Sequence, residues 1–170
     1  MYISGAQRVF PFHYFRFQSR NITTRSASVG TIAGDGFPNV HENQLLPNFD
    51  QGFSTLLEDL HQRGLDSETL VVCLGEFGRT PTINANAGRD HWAACNSIVL
   101  AGAGIDHGKV YGRSDRNAAY PVRNLVAPSD LSATIYHLLG IDPHSTFVDR
   151  TGQHVPLVPR SAEVVPEMLA

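Results

Sequence analysis

Apolar residues fall into a readable order from Asn48 onward. Phe49, Phe53, Leu56, Leu57 and Leu60 recur at helical spacing up to Gly64, with Asn48 and Gln51 as a start signal, which predicts an amphipathic helix facing a core. After a short connection, Leu70-Val71-Val72-Cys73-Leu74 is an unbroken apolar run that ends at Gly75, the pattern of a buried strand of the parallel type. Asn96 to Ala101 repeats the signature and ends in Gly102-Ala103-Gly104, predicting a second central strand. Lys109 to Gly112 reads as a short edge strand or hairpin arm. A last helix opens at Pro128-Ser129-Asp130, with Ser129 or Asp130 as its N-cap. It carries Leu131, Ile135, Leu138 and Leu139 on one face and stops at Gly140 before Pro143. Helix, strand, long loop, strand and helix in that order indicate an open α/β sheet.

The two ends read differently from the middle. Residues 1–34 hold Arg8, Arg16, Arg20 and Arg25 and no acid, a charge of +4, whereas the remainder carries 9 basic and 16 acidic residues, or −7. Residues 1–36 are aromatic and then Ser/Thr/Gly-rich without a period, so they are expected to form a basic tail that is either disordered or not native to the fold. Residues 37–157 are expected to form the C-terminal portion of an α/β domain, and residues 158–170 an irregular C-terminal tail, the stretch from Pro156 onward holding three prolines. The N-terminus shows neither the apolar run of a secretory signal nor a twin-arginine pair.

With 170 residues, 42% hydrophobic and 17% charged, the composition is that of one globular domain rather than a disordered or fibrous chain. The net charge of −3 gives no global reason to bind nucleic acid or acidic membranes. No apolar stretch approaches the ~20 residues that cross a bilayer. Neither nucleic acid nor membrane is therefore an expected partner. Cys73 and Cys95 cannot build a disulfide framework and form no CxxC pair, so they read as buried thiols or at most a single bridge.

In open α/β sheets, ligands gather beyond the carboxyl ends of strands, which directs attention to the loop after Leu74. It reads Gly75-Glu76-Phe77-Gly78-Arg79-Thr80-Pro81 and, farther on, Gly88-Arg89-Asp90-His91-Trp92. Glu76 and Asp90 are hard oxygen ligands and His91 a nitrogen ligand, a mixture suited to zinc, manganese or a similar divalent ion. Arg79 and Arg89 are candidates to take an anionic oxygen substrate, because a guanidinium binds phosphate or sulfate bidentately. The plainer reading is an arginine-to-carboxylate network that pins a long loop, with His91 hydrogen-bonded and Trp92 packed. Asp106-His107 reads as turn filler, Ser114-Asp115 as a turn or cap, and His137 as an exposed helix residue. No hydroxyl sits in a GxSxG elbow, so a serine-triad hydrolase is not expected.

The segments GEFGRTP, GRDHW, AGAG and PSDLSATIYHLLGIDP resemble the C-terminal part of a bacterial family of unknown function in the alkaline phosphatase and sulfatase superfamily, over about Phe37 to Leu157. That resemblance implies a partial doubly wound α/β sheet, divalent metal at the strand ends (zinc, manganese, calcium or similar), and cleavage of sulfate or phosphate esters. It places Glu76 at a metal-binding acid after a strand and His91 at a late metal-binding histidine. Phe77 stands where the wider superfamily often has histidine. Family members carry a Trp-Asp-Thr-His motif just before the first helix. The matching place reads Pro38-Asn39-Val40-His41-Glu42-Asn43, which makes His41 a further candidate ligand and leaves Asn39 at the aspartate position.

By the same resemblance, an N-terminal half with the nucleophile would precede this part. Its absence from the match implies a truncated product whose exposed sheet edge associates with itself. The alternative function is a non-catalytic fragment or binding module of the same fold. The resemblance also suggests an exported protein.

Overall fold

A computed structural model describes residues 2–3 and 45–170. In chain order these form β1 (Tyr2–Ile3), α1 (Leu46–Gln62), β2 (Leu70–Cys73), β3 (Gly78–Arg79), β4 (His91–Trp92), β5 (Asn96–Ser97) and β6 (Val99–Gly102). There follow β7 (Arg113–Ser114), β8 (Pro121–Arg123), α2 (Pro128–Leu138), β9 (Thr146–Val148), β10 (His154–Pro156) and a 3-10 turn at Pro166–Met168. The fold is mixed α/β, with two helices and small antiparallel sheets among the described residues. Each sheet is a two-stranded ladder: β1 with β5, β2 with β6, β3 with β4, β7 with β8, and β9 with β10. No described helix is long and apolar enough to cross a membrane.

The apolar runs at 70–74 and 96–101 do become strands, yet β2 and β6 pair antiparallel, with Leu70 opposite Gly102 and Cys73 opposite Val99. The parallel expectation for Leu70–Leu74 is thereby corrected. Parallel neighbours need a crossover, usually a helix, and residues 74–98 contain no helix. Half-burial of Leu70 to Cys73 replaces the full burial expected. The second run divides at Ile98, which is buried between β5 and β6. At the end of the ladder Gly102 has φ +94°, and a Cβ there would overlap the Thr69 carbonyl oxygen. That same carbonyl accepts the Ala103 amide at 3.1 Å.

Both predicted helices form, with shifted starts. Helix α1 begins at Leu46 with Pro47 in its first turn, and no side chain caps it, so Asn48 is not the cap. Its apolar face is only half-covered, Leu56 is 45% exposed, and none of its residues is fully buried. Helix α2 begins at Pro128 after Ala127, and Asp130 acts from the third helical position. Its Oδ2 accepts the Ala127 amide at 3.0 Å, satisfying a donor that the helix leaves unpaired. Leu131, Ala133 and Thr134 are buried, whereas Leu139 is 62% exposed and leaves the face assigned to it. The hairpin expected at Lys109–Gly112 sits slightly later, as β7 and β8, with an irregular register at Arg113/Ser114.

The C-terminal stretch supplies much of the core. Met168 packs with Ile98, Val126 and Leu131, and Val158 and Ala162 pack with Ala133. Burying a side chain of this size is worth about 1.5–3 kcal/mol. The polar groups beneath are matched as well. The Asp130 Oδ1 accepts the Glu163 amide at 3.1 Å, and the buried Thr134 hydroxyl donates to the Asp130 carbonyl at 2.7 Å while accepting the Val165 amide at 3.1 Å. Leu169 bridges to Ile105, and the Ala170 amide donates to the Gly104 carbonyl at 3.0 Å. Residues 158–170 thus have little regular structure but are firmly held. His41 and the N-terminal boundary near residue 36 lie outside the described residues.

Candidate functional site

The two loop motifs meet as the arms of one hairpin. Gly78 pairs with Trp92 and Arg79 with His91, so GEFGRTP and GRDHW lie side by side although separate in sequence. The Thr80 amide donates to the Asp90 carbonyl at 2.9 Å and the Asp90 amide to Thr80 Oγ1 at 3.1 Å, which extends the junction by one residue. Upstream, Asn96 Nδ2 donates to the Gly75 carbonyl at 2.9 Å and fixes the exit from β2 beside Glu76.

The intervening loop is organised by Asn84. Its Oδ1 accepts the amides of Asn86 and Gly88, both at 3.0 Å, and its Nδ2 donates to Asp90 Oδ1 at 2.9 Å. Asparagine folds back on its own backbone in this way because its short amide reaches the amides just downstream. Ala87 is held at φ 58° inside this turn. Arg89 Nη1 donates to the carbonyls of Thr80 (2.7 Å) and Pro81 (2.6 Å), and Arg79 Nη1 to the Arg89 carbonyl at 3.4 Å. The loop is therefore pinned in part by arginine-to-carbonyl bonds, where the plainer sequence reading expected arginine-to-carboxylate pairs.

Four of the candidate residues line one open depression of about 470 Å³: Arg79, Arg89, Asp90 and His91, together with Asn84. Among the described residues that line it there are two guanidiniums and one carboxylate. The exposed His91 ring lies 4.0 Å from that of Phe77, and the Arg79 guanidinium carbon 5.8 Å from the same ring. Glu76 is exposed and does not line the depression. Among the described residues no three His, Cys, Asp or Glu side chains gather to hold a metal ion. Glu76, Asp90 and His91 thus do not make a metal shell by themselves.

Trp92 ties the hairpin to the rest of the chain. Its Nε1 donates to the Ala119 carbonyl at 2.8 Å, and its ring meets Tyr120 edge-on at 5.6 Å. The turn that starts at Ser114-Asp115 is therefore brought beside β4. Asp115 accepts the amides of Asn117 and Ala119 and so shapes that turn, and Ser114 is buried. Burial, and next the Asp115 charge, pushes the Cys95 thiol above its ordinary pKa. Burial does the same to Cys73, and both cysteines are free.

The remaining candidates are apart from the depression. Asp106 pairs with Lys109 at 2.8 Å, and His137 is exposed on α2. His61, isolated in sequence, has its Nδ1 2.6 Å from Asp66 Oδ2, and this hydrogen bond holds the Asp66 carboxyl below its ordinary range. Of the side chains that shape the site, Asn84 is not singled out in the sequence, and Trp92 is, as a packed residue without its partner. Asn84 could have been found from the Asn-Ala-Asn-Ala-Gly run, a turn composition, but nothing local announces that Trp92 reaches Ala119.

A family model described as a protein of unknown function, DUF1501, matches residues 35–169. No curated protein and no solved structure matches the chain.

Proposed function

The chain belongs to the DUF1501 family, and from that premise we propose that it is a sulfatase-like or phosphatase-like domain of the alkaline phosphatase and sulfatase superfamily that receives the anionic group of a sulfate or phosphate ester. The observation that carries this reading is the depression between β3 and β4, lined by Arg79, Arg89, Asn84 and His91 with one carboxylate, Asp90. Two guanidiniums against one carboxylate attract an oxyanion, and their planar forks match its oxygens. The pairing of the two motif segments that resemble the superfamily supports the same reading.

The divalent ion that the resemblance implies takes Glu76, Asp90, His91 and His41 as its proposed ligands. The described three do not form a shell on their own, so the reading assigns anion binding to the depression and no chemical step to a metal. Elemental analysis of the purified chain beside His91→Ala measures metal directly. Titration with inorganic sulfate and phosphate tests the depression. Arg79→Gln is expected to weaken binding about tenfold. Asp90→Asn keeps an acceptor for Asn84 and removes a negative charge, so it is expected to tighten binding. Affinities unmoved by both variants would remove the basis for the reading.

A second reading, capture of the anionic group without turnover, is favoured because no three His, Cys, Asp or Glu side chains gather among the described residues. Release of 4-nitrophenol from its phosphate or sulfate ester separates the two. Turnover lost in His91→Ala supports the hydrolase, and saturable binding without release supports the binding module.

A further inference from the structure

The β7–β8 hairpin carries arginines that the depression does not use. Arg113 and Arg123 are direct partners across this ladder, and both are exposed, as is Arg116 in the connecting turn. Ser114, next to Arg113, is buried, whereas Arg113 is exposed, on either side of the irregular step in the register. Residues opposed on an antiparallel ladder stand about 4.5–5.5 Å apart at Cα, and like charges there repel each other. Among the described residues none of the three arginines forms an ion pair. The one acid between them, Asp115, is engaged by the Asn117 and Ala119 amides at 3.0 and 2.9 Å. Three arginines against the one carboxylate of Asp115 leave this hairpin net positive on a chain of net charge −3.

We propose that Arg113 and Arg123 together bind the phosphate group of a phosphomonoester. Two arginines opposed at Cα on the ladder bring two positive charges to one place, which are neutralised by a group that carries close to two negative charges. A phosphate monoester supplies about −1.5 to −2 near neutral pH, whereas a sulfate ester supplies a single charge. The guanidinium fork also accepts phosphate oxygens bidentately. This surface lies on a different hairpin from the depression and stands whether or not the depression receives an ester.

Calorimetric titration of the whole chain with phenylphosphonate, a dianion that resists hydrolysis, tests the assignment. Arg113→Gln and Arg123→Gln are each expected to weaken binding about tenfold, and Arg123→Lys, which keeps charge without the fork, to fall between. Both Gln variants are expected to keep or exceed the wild-type unfolding midpoint, because each relieves a like-charge pair. Wild-type affinity is expected to fall as the phosphonate dianion takes up one proton on acidification and becomes a monoanion. Benzenesulfonate, a monoanion of similar shape, is expected to bind about tenfold more weakly. Arg150→Gln, an exposed arginine in the β9–β10 turn, is expected to leave affinity unchanged. Absence of binding, affinity unmoved in both hairpin variants, equal loss in Arg150→Gln, or equal binding of sulfonate and phosphonate overturns the assignment.

Discussion

The indole Nε1 of Trp92 donates a 2.8 Å hydrogen bond to the carbonyl of Ala119, 27 residues along the chain. Through it the strand that carries His91 is joined to the turn that opens the β7–β8 hairpin. Trp92→Phe keeps an aromatic ring against Tyr120 and leaves the Ala119 carbonyl without its donor. The expected cost is about 1–2 kcal/mol in urea unfolding followed by circular dichroism. A loss below about 0.5 kcal/mol would show that water replaces the indole there.

Met168 is 4% exposed and packs on Ile98, Val126 and Leu131, although it lies beyond the last helix. Truncation to Ala is expected to destabilise by about 2–4 kcal/mol. Leu56→Ala on the half-covered helix α1 is expected to cost less than about 1 kcal/mol. Equal effects of the two in chemical denaturation would contradict the placement of the core.

Asp149 closes the turn between β9 and β10. Its carboxyl lies below its ordinary pKa, chiefly because the Thr151 hydroxyl donates to it and next because the Gln153 and Thr151 amides do. The folded hairpin therefore favours the ionised form. Its contribution is full above the ordinary carboxylate range and is lost as pH falls through that range and past the lowered folded value. Amide resonances of Thr151 and Gln153 are expected to shift together on acidification, with Asp149→Asn showing the acid-side positions at neutral pH. Resonances that stay fixed through that range would contradict the role.

Cys95 has no exposed surface and Cys73 is half-buried, and burial raises both thiols. Near neutral pH neither is expected to react quickly with an aromatic disulfide reagent, because the thiolate is the attacking form. Cys73 is expected to react first, and Cys95 about tenfold more slowly or only on unfolding. Reaction of Cys95 ahead of Cys73 would show that the 92–96 segment opens locally.

The legibility of the fold follows from which residues signal locally. Helix α2 was readable because Leu131 and Ile135 recur at its period and Gly140 ends it, and β2 because five apolar residues run together without a break. The same run does not distinguish parallel from antiparallel pairing, since both bury it, and only the absence of a crossover helix decided the matter. Leu139 looked like Leu138 in sequence, yet one step along a helix turns a side chain by about 100°. The candidate loop was legible as chemistry, with Arg79, Arg89, Asp90 and His91 in two short motifs. Its closure by Asn84 and its anchoring by Trp92 depend on partners that composition does not name. Arg113 and Arg123 escaped for the same reason, because their opposition is a matter of register.

The placement of Val158, Ala162 and Met168 against Ala133, Val126 and Leu131 sets an order of events during synthesis. Helix α2 is made before Val158, Ala162 and Met168, so Leu131 first meets Ile98 and Val126, and the side of α2 that faces Val158, Ala162 and Met168 is covered only when those residues follow. A chain that stopped at residue 157 would leave Ala133 without Val158 and Ala162, and Leu131 without Met168, over them.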